Sequence, residues 1–561
     1  MIILGVADNH DAGAALVQDG QLLAACSQER FDRKKGSGAF PWAAIDAALD
    51  TGGVKARDVD RVVFGTAFTP STLLRRFPAL HHNRKAEGGQ FDPLLSAYIA
   101  YQVALRRTGL HAVEVEASQR LLTHRLRERG FPKAQVVMMD HHEAHAHAAY
   151  RAQPHTTALI LTVDAMGDGL SATAWVGQVG QLNRHWAQSG LAAVNTFYSR
   201  ITEWLGFTAL RHEGKVTGLA AYAEPPPELL EHMAERLRFV SPGFNRLSPF
   251  LVETKESPFY QALGQFRREE VAAAAQRTLE DAVTAFVAYW VERTGVADVA
   301  VAGGAFANVK LNQRIAALPS VRSLFVTPHM GDGGLALGAA LGAAGAPPEA
   351  RTRLDWGPRY TKSQISRELY IARLTPVSGV DAVEHAASLL ARGKTVARFA
   401  GGMEFGPRAL GNRSILVRPD LPEVNDRLNA QLKRTEFMPF APICAAENAS
   451  RLFVGLEKSP LSARHMTVCC DCTEELRRLA PGVVHVDGTA RPQLVDASES
   501  PRMHRLLRRF EELTGVPALI NTSFNMHEEP IVCSPFDAIR AWRAAKLDAL
   551  MLDDVIVERD R

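Results

Sequence analysis

Cysteine is scarce in this chain. Six cysteines in 561 residues, at Cys26, Cys444, Cys469, Cys470, Cys472 and Cys533, are too few for a disulfide scaffold and fit a reducing compartment. Cys469, Cys470 and Cys472 cluster, but no second cysteine pair lies nearby to complete a zinc site. An excess of one charge is also lacking. Lys+Arg is 64 and Asp+Glu is 61, and a net +3 demands no nucleic-acid partner. No window approaches ~18 uninterrupted apolar residues, so no transmembrane helix is predicted. The opening MIILGVADNHDAG has no basic region and no long apolar stretch, so it does not read as a signal peptide. A cytoplasmic protein with no membrane partner is the expectation. Apolar residues at 46% and charged residues at 22% sit near the globular average, which excludes long disorder, a collagen-like chain and a coiled-coil rod.

What is there reads as α/β. Residues 2–6 and 14–17 are apolar with His10-Asp11 in a polar turn between them, and Asp19-Gly20 is a two-residue hairpin turn before 21–26. A helix is predicted over 41–49 and a strand over 61–64. Residues 68–95, rich in Arg, His and Pro, read as an excursion without periodicity. Short apolar strands at 136–139, 158–163 and 299–302 run into His141, Asp164 and Gly303-Gly304, as in a sheet whose site lies at the strand ends. Pro347-Pro348 cannot continue the preceding Ala-rich helix, so a linker is placed at 346–357. It separates a domain at 1–345 from one at 358–561, where 381–392 reads as an amphipathic helix and 396–399 as a strand.

Four of the 19 histidines fall within 141–147, in the run Asp140-His141-His142-Glu143-Ala144-His145-Ala146-His147. His141 and His145 stand at i and i+4, so a helix puts both imidazoles on one face, the spacing of two ligands to one metal ion. Glu143 follows His141 by two positions, so the zinc-protease pattern is not met; the plain alternative is a helix with surface histidines. Two aspartate turns offer further ligands: Asp164 to Asp168, with Gly167 and Gly169, and Asp332 between Gly331 and Gly333. Imidazole plus carboxylate suits iron, manganese or zinc. Glycines beside the aspartates admit phosphates to backbone N–H groups, and Gly303-Gly304 before Asn308 forms a second such platform. In the C-terminal half, Arg408 and Arg413 sit among glycines, Lys433-Arg434 adds charge, and Arg491, Asn521, Ser523 and Asn525 follow in small polar loops. Arginines in such loops suit a phosphate or carboxylate-like ligand through bidentate charge-assisted bonds.

Over nearly its whole length the chain resembles the O-carbamoyltransferases of nodulation-factor and antibiotic pathways, such as those acting on cephamycins and tobramycin. The resemblance is carried by His10-Asp11, Glu29-Arg30-Phe31 with Arg33-Lys34-Lys35, His141-His142-Glu143-Ala144-His145, Asp164 to Asp168, and Gly214-Lys215 with Gly218. It continues through Gly303-Gly304 with Asn308, Asp332 to Gly338, Glu404 to Ser414, Pro439-Phe440-Ala441-Pro442, Asp487 to Gln493, and Asn521 to Asn525 with Glu529-Pro530. It implies an N-terminal actin-like ATPase-type domain, similar to the enzyme that makes threonylcarbamoyladenosine, and a C-terminal YrdC-like α/β domain.

The implied activity is formation of carbamoyl-adenylate from carbamoyl phosphate and ATP, then transfer of the carbamoyl group to a hydroxyl of a small-molecule acceptor. The implied metal ligands are His141, His145, Asp164 and Asp332, with Fe2+ expected, Mn2+ or Zn2+ as rivals, and Mg2+ accompanying ATP. Carbamoyl-adenylate in the N-terminal domain is expected at Gly167, Asp168, Lys215, Gly218, Gly303, Gly304 and Asn308. Carbamoyl phosphate and ATP are expected at Arg408, Arg413, Lys433, Arg434, Arg491, Asn521, Ser523 and Asn525. His10 is the candidate base for the acceptor proton, with Asp11 next, and Lys35 the candidate for holding the adenylate phosphate. Three positions depart from the family pattern: Met438 replaces an Arg, Glu528 a Gly and Thr217 a Met. A tRNA-modifying enzyme, carbamoylation of a polysaccharide or lipo-oligosaccharide, and a non-catalytic nucleotide sensor are the alternatives. A monomer or homodimer is expected.

Overall fold

The computed structural model describes residues 1–77, 93–192, 194–245, 253–421, 423–432 and 440–559. The chain divides into two compact units, Met1–Gln28 with Gly36–Arg351, and Glu29–Lys35 with Thr352–Arg561. The segment Glu29–Lys35 is thus grouped with the second unit, a detour that the uninterrupted 1–345 reading does not contain.

The first unit opens as its turn chemistry demands. Strands β1 (Ile2–Ala7), β2 (Gly13–Gln18) and β3 (Gln21–Ser27) form an antiparallel meander. Its second turn is Asp19-Gly20, with φ 50 and 82, the backbone that a right-twisted two-residue hairpin needs. β4 (Arg61–Phe64) and β5 (Gln135–Met138) add in parallel, giving the order β3-β2-β1-β4-β5.

The same pattern recurs further on. β6 (Thr157–Gly167), β7 (Leu170–Gln178) and β8 (Gln181–Ser189) are antiparallel, a short hairpin β9 (Phe239–Val240) and β10 (Gly243–Phe244) intervenes, and β11 (Asp298–Ala302) and β12 (Ser323–Val326) return in parallel. The second sheet reads β8-β7-β6-β11-β12, the order of the first. Two sheets of this shared order make up the duplicated actin-like ATPase fold. The expected helix at 41–49 is Trp42–Gly52, closed by Gly53 at φ 67. The expected excursion at 68–95 contains helices Thr72–Arg76 and, from its end, Pro93–Thr108; residues 78–92 lie outside the described residues.

Helix Leu335–Ala343 is composed of Leu, Ala and Gly, and its first seven residues are buried. Its small residues let it approach helix His141–Arg151 closely: a Cβ on Gly338 would lie 1.8 Å from the Ala144 carbonyl oxygen. This contact sets where the histidine helix lies.

The second unit is a mixed seven-stranded sheet with helices, an α/β unit. Its strands are β13 (Val396–Phe399), β14 (Arg413–Val417), β15 (Ala441–Ala445), β19 (Gln493–Val495), β20 (Leu519–Ser523), β21 (Ala549–Leu552) and β22 (Val555–Glu558), in the order β19-β15-β20-β14-β13-β21-β22. A small sheet of β16 (Phe453–Val454), β17 (Cys470–Cys472) and β18 (Thr489–Ala490) accompanies it. The predicted helix at 381–392 is Ala382–Ala391, with Asp381 accepting from the Val383 and Glu384 N–H groups as its N-cap. The clustered cysteines are buried, and burial pushes the Cys472 thiol up to about 12, which leaves it a poor nucleophile.

Candidate active site

Helix His141–Arg151 starts where β5 ends. Asp140 caps it, accepting from the His142 and Glu143 N–H groups. Four histidines are buried in it, but they divide into two roles. His141 and His145 share a face, and both Nε2 atoms lie 3.2 Å from Asp164 Oδ2 and 3.7 Å from Asp332 Oδ1. His142 faces elsewhere, its Nδ1 2.7 Å from Thr162 Oγ1; burial and the neighbouring His141 push it down to about 3. Burial and Arg151 push His147 down to about 4. These two are neutral core histidines.

His141, His145, Asp164 and Asp332 are all buried, and one ligand atom from each lies within 4.8 Å of the others. They come from the helix after β5, from β6, and from the turn after β12. Burial alone would push the His141 imidazole down, but Asp332, Asp164 and Asp168 overcome it and raise it to about 9. Burial opposes ionisation of Asp164, yet hydrogen bonds from His141 and His145 hold its carboxyl well below the usual range. Two imidazoles and two carboxylates converging in a buried corner fit one divalent transition ion. Gly167 makes room for them, since a Cβ there would lie 2.1 Å from His141 Cγ.

Around this corner the sequence expectations divide. His10 is brought to it: Nε2 lies 3.1 Å from Asp332 Oδ2, and Nδ1 lies 3.2 Å from Asp11 Oδ2. Gly304 N–H donates to Asp164 Oδ1 at 3.3 Å, and Gly303 at φ 105 turns the chain there. Asp168, expected among the nucleotide ligands, is instead consumed by the backbone. Its carboxylate accepts from the N–H groups of Ala67 (2.7 Å), Phe68 (2.9 Å), Thr69 (2.9 Å) and His141 (2.9 Å).

Asn308 is likewise engaged. It caps helix Val309–Ala317 and donates to Gln276 Oε1 (2.8 Å) and Thr217 Oγ1 (3.2 Å). Thr217, the departure from Met, thus enters a polar network that Tyr198 joins at 3.0 Å. Lys215 and Gly218 lie on the helix Glu213–Leu219, Lys215 half-buried and Gly218 buried. Lys35 is exposed and belongs to the Glu29–Lys35 segment that is grouped with the second unit.

In the second unit, strand register sorts the expected ligands. Arg398 pairs with Ser414 and Ser414 with Ser523, while Leu416 pairs with Asn521, so Arg398, Ser414, Asn521 and Ser523 share one sheet face. Arg413 faces the other way. Its guanidinium sits 3.7 Å from the Phe399 ring centroid and donates to the Ala400 and Gly401 carbonyls. Grouping Arg413 with Asn521 and Ser523 is therefore corrected: strand alternation separates them.

Asn521 donates to Ala409 O (3.1 Å) and to Gln493 Oε1 (2.6 Å), and Gln493 donates to Leu410 O (2.7 Å). The loop carrying Arg408 is thus tied to Asn521, whose Oδ1 stays buried with no hydrogen-bond partner among the described residues. Arg408 and Arg491 are half-buried. Asn525 donates to Met526 O (2.9 Å) and Glu529 O (2.7 Å), which shapes its own turn. Glu528 adopts φ 61, a left-handed position that explains a preference for glycine there. Lys433, Arg434 and Met438 lie outside the described residues.

Two residues that the sequence named without giving them a role organise this unit. Glu404 Oε1 accepts from the N–H groups of Leu410 (2.9 Å), Asn412 (2.7 Å) and Arg413 (3.3 Å) and so shapes the Arg408 loop. Burial pushes its carboxyl up. Arg30 donates to Gly406 O at 2.7 Å, a support for the same loop. A cavity of about 570 Å3, lined among others by Arg398, Glu404, His465 and Gln493, adjoins it. The sequence signal for Arg30 and Glu404 was their place in the motifs that carry the family resemblance, Glu29-Arg30-Phe31 and Glu404 to Ser414.

Fold and site together define an α/β protein with a duplicated actin-like unit, a buried histidine–aspartate corner and a second, mixed-sheet unit. Two family models match it, carbamoyltransferase N-terminus over residues 2–341 and carbamoyltransferase C-terminus over residues 387–559, and the chain belongs to the carbamoyltransferase family. It is 31% identical to an uncharacterised protein of Synechocystis, covering 99% of this chain and 96% of that one. It is 31% identical to nodulation protein NolNO of Sinorhizobium fredii, covering 98% of this chain and 79% of that one. Among solved structures, component A of the (R)-2-hydroxyglutaryl-CoA dehydratase of Acidaminococcus fermentans aligns with a TM-score of 0.33 and 14% identity, covering 61% of this chain and 96% of that one. Among the described residues, no helix is long and apolar enough to cross a membrane.

Proposed function

We propose that this carbamoyltransferase is an ATP-dependent O-carbamoyltransferase that works in two steps. In the first, carbamoyl phosphate loses its phosphoryl group to water, giving carbamate and phosphate. A carbamate oxygen then attacks the α-phosphorus of ATP, forming carbamoyl-adenylate and displacing pyrophosphate. The second unit is assigned this step, with Arg408, Arg491 and Ser523 as anion ligands and Asn521 Oδ1 as a buried acceptor for the carbamoyl N–H.

In the second step an acceptor hydroxyl attacks the carbamoyl carbon and AMP departs. His10 takes the hydroxyl proton, and Asp11 beside Nδ1 orients the ring. His141, His145, Asp164 and Asp332 are proposed to hold the metal, with Fe2+ ahead of Mn2+ and Zn2+. A divalent ion there would stabilise charge on the departing phosphate. Gly303 and Gly304 are proposed to admit the adenylate, and the acceptor to be a hydroxyl-bearing small molecule.

The observation that carries this reading is the buried corner of two imidazoles and two carboxylates with His10 3.1 Å from its edge, in a chain matched by both carbamoyltransferase family models. The test is which small molecule triggers pyrophosphate release from ATP. Release with carbamoyl phosphate supports the reading. Release only with threonine and bicarbonate would favour a threonylcarbamoyl-type activity instead.

A further inference from the structure

We infer that Arg75 is a positioning residue for the histidine–aspartate corner: one guanidinium fixes both backbone segments against which that corner is built. The inference rests on the metal reading above. Arg75 belongs to helix Thr72–Arg76, and neither its position nor its neighbours marked it in the sequence.

The first segment is the end of β1. Asp8 follows β1 directly and precedes Asn9 and His10. Arg75 grips its carboxylate on both oxygens, Nε to Oδ2 at 2.8 Å and Nη2 to Oδ1 at 3.2 Å, and both side chains are only 1% exposed. The next residue, Asn9, donates from Nδ2 to Asp332 Oδ2 at 2.6 Å. Whatever fixes Asp8 therefore fixes the donor that orients Asp332.

The second segment follows β4. Arg75 donates from Nη1 to Ala67 O at 3.1 Å, and from Nη2 to Thr66 O at 3.2 Å and Thr66 Oγ1 at 2.8 Å. The N–H groups of Ala67, Phe68 and Thr69 are those that Asp168 gathers, and Asp168 Oδ2 also holds the His141 N–H at 2.9 Å. This route runs from Arg75 through the loop and Asp168 to the first turn of the histidine helix. Arg75 is itself anchored, since Arg125 Nη1 donates to its carbonyl at 2.7 Å.

A buried ion pair is weak evidence for stability, because desolvating both charges offsets their attraction. The rigid guanidinium fork instead supplies direction. It serves two segments at fixed angles, which the single ammonium of a lysine cannot do. Partners that orient metal ligands from behind matter to affinity in this way.

The experiment uses the full chain and Mn2+ as the probe, with titrated Mn2+ affinity and the thermal midpoint measured on Arg75→Lys, Asp8→Asn, His141→Ala and Asp298→Asn. Asp298 pairs with Arg322 and Ser323 in the same unit, away from the corner, and reports what loss of a structural carboxylate does. Arg75→Lys is expected to bind Mn2+ ~10–100-fold more weakly, while Asp298→Asn shifts only the midpoint. If Arg75→Lys does not fold, Asp8→Asn decides by the same criterion. Affinity within about threefold of wild type, well short of the range for such partners, with His141→Ala binding lost, would overturn the inference and leave the metal reading intact. Wild-type Mn2+ affinity in His141→Ala would overturn the metal reading and the inference with it.

Discussion

His141 keeps its place because residue 167 has no side chain. A Cβ at Gly167 would sit 2.1 to 2.3 Å from three ring atoms of His141, so the ring must leave or the strand must bend. Gly167→Ala is therefore expected to strip metal from a chain that still folds, seen as loss of bound metal by elemental analysis with an unchanged far-ultraviolet spectrum. Full metal content in that variant would count against the corner as the site. Histidine protonation gives a second test at this scale. Burial pushes His465 down to about 4, and its Nε2 lies 3.1 Å from Thr352 O, so the fold holds the ring neutral. Its contribution is fully present above the unfolded value of ~6.5 and is lost as pH falls through about 4, because the unfolded chain takes up a proton that the fold refuses. His465→Gln should flatten the acid fall in melting stability by one proton, ~1.4 kcal/mol per pH unit. An unchanged slope would show that the buried ring accepts its proton.

The i, i+4 histidines and the two aspartate turns could be read directly, because helix periodicity and Asp-Gly turns are local. Asn9 could not, since its partner Asp332 lies 323 residues away. The two roles of Arg413 and Arg398 could not either. Both are arginines near glycines, and only the pairing of β13, β14 and β20 shows which shares a face with Asn521.

Among the elements, helix Leu335–Ala343 decides where the histidine helix lies. A Cβ on Gly338 would meet the Ala144 carbonyl oxygen at 1.8 Å and the Ala148 nitrogen at 2.9 Å. Both are backbone atoms, so nothing can rotate away. Gly338→Ala should cost at least the ~1–3 kcal/mol of a typical overpacked core and lower metal affinity as His141 and His145 are pushed off their aspartates. A thermal midpoint and metal content equal to wild type would contradict this packing. The opening hairpin was legible because Asp19-Gly20 names its own turn. Helix Thr72–Arg76 was not, because five residues show no periodicity and its N-cap, Ser71, is one polar residue among many.

Across the whole molecule, one reaction step is proposed for each unit, and the steps should separate. Arg491→Ala removes a charged partner of the proposed anion, a loss of ~1.5–3 kcal/mol or more per charged bond. Pyrophosphate release driven by carbamoyl phosphate should fall at least tenfold by that figure, while consumption of supplied carbamoyl-adenylate continues. A variant that folds but cannot use supplied carbamoyl-adenylate would mean that the steps are not independent. The actin-like ATPase-type domain was expected through family resemblance, but the shared order of its two sheets was not read, because sheet order is a property of strand pairing that no single stretch of sequence displays.

The most direct measurement of the central claim is mass spectrometric detection of the intermediate itself. The full chain is incubated with ATP, Mg2+ and carbamoyl phosphate, without acceptor, and the quenched mixture is analysed for carbamoyl-adenylate together with pyrophosphate. Both are expected to form in equal amounts and only when carbamoyl phosphate is present. ADP in place of pyrophosphate, or pyrophosphate with no carbamoyl-adenylate in the enzyme-bound fraction, would contradict it.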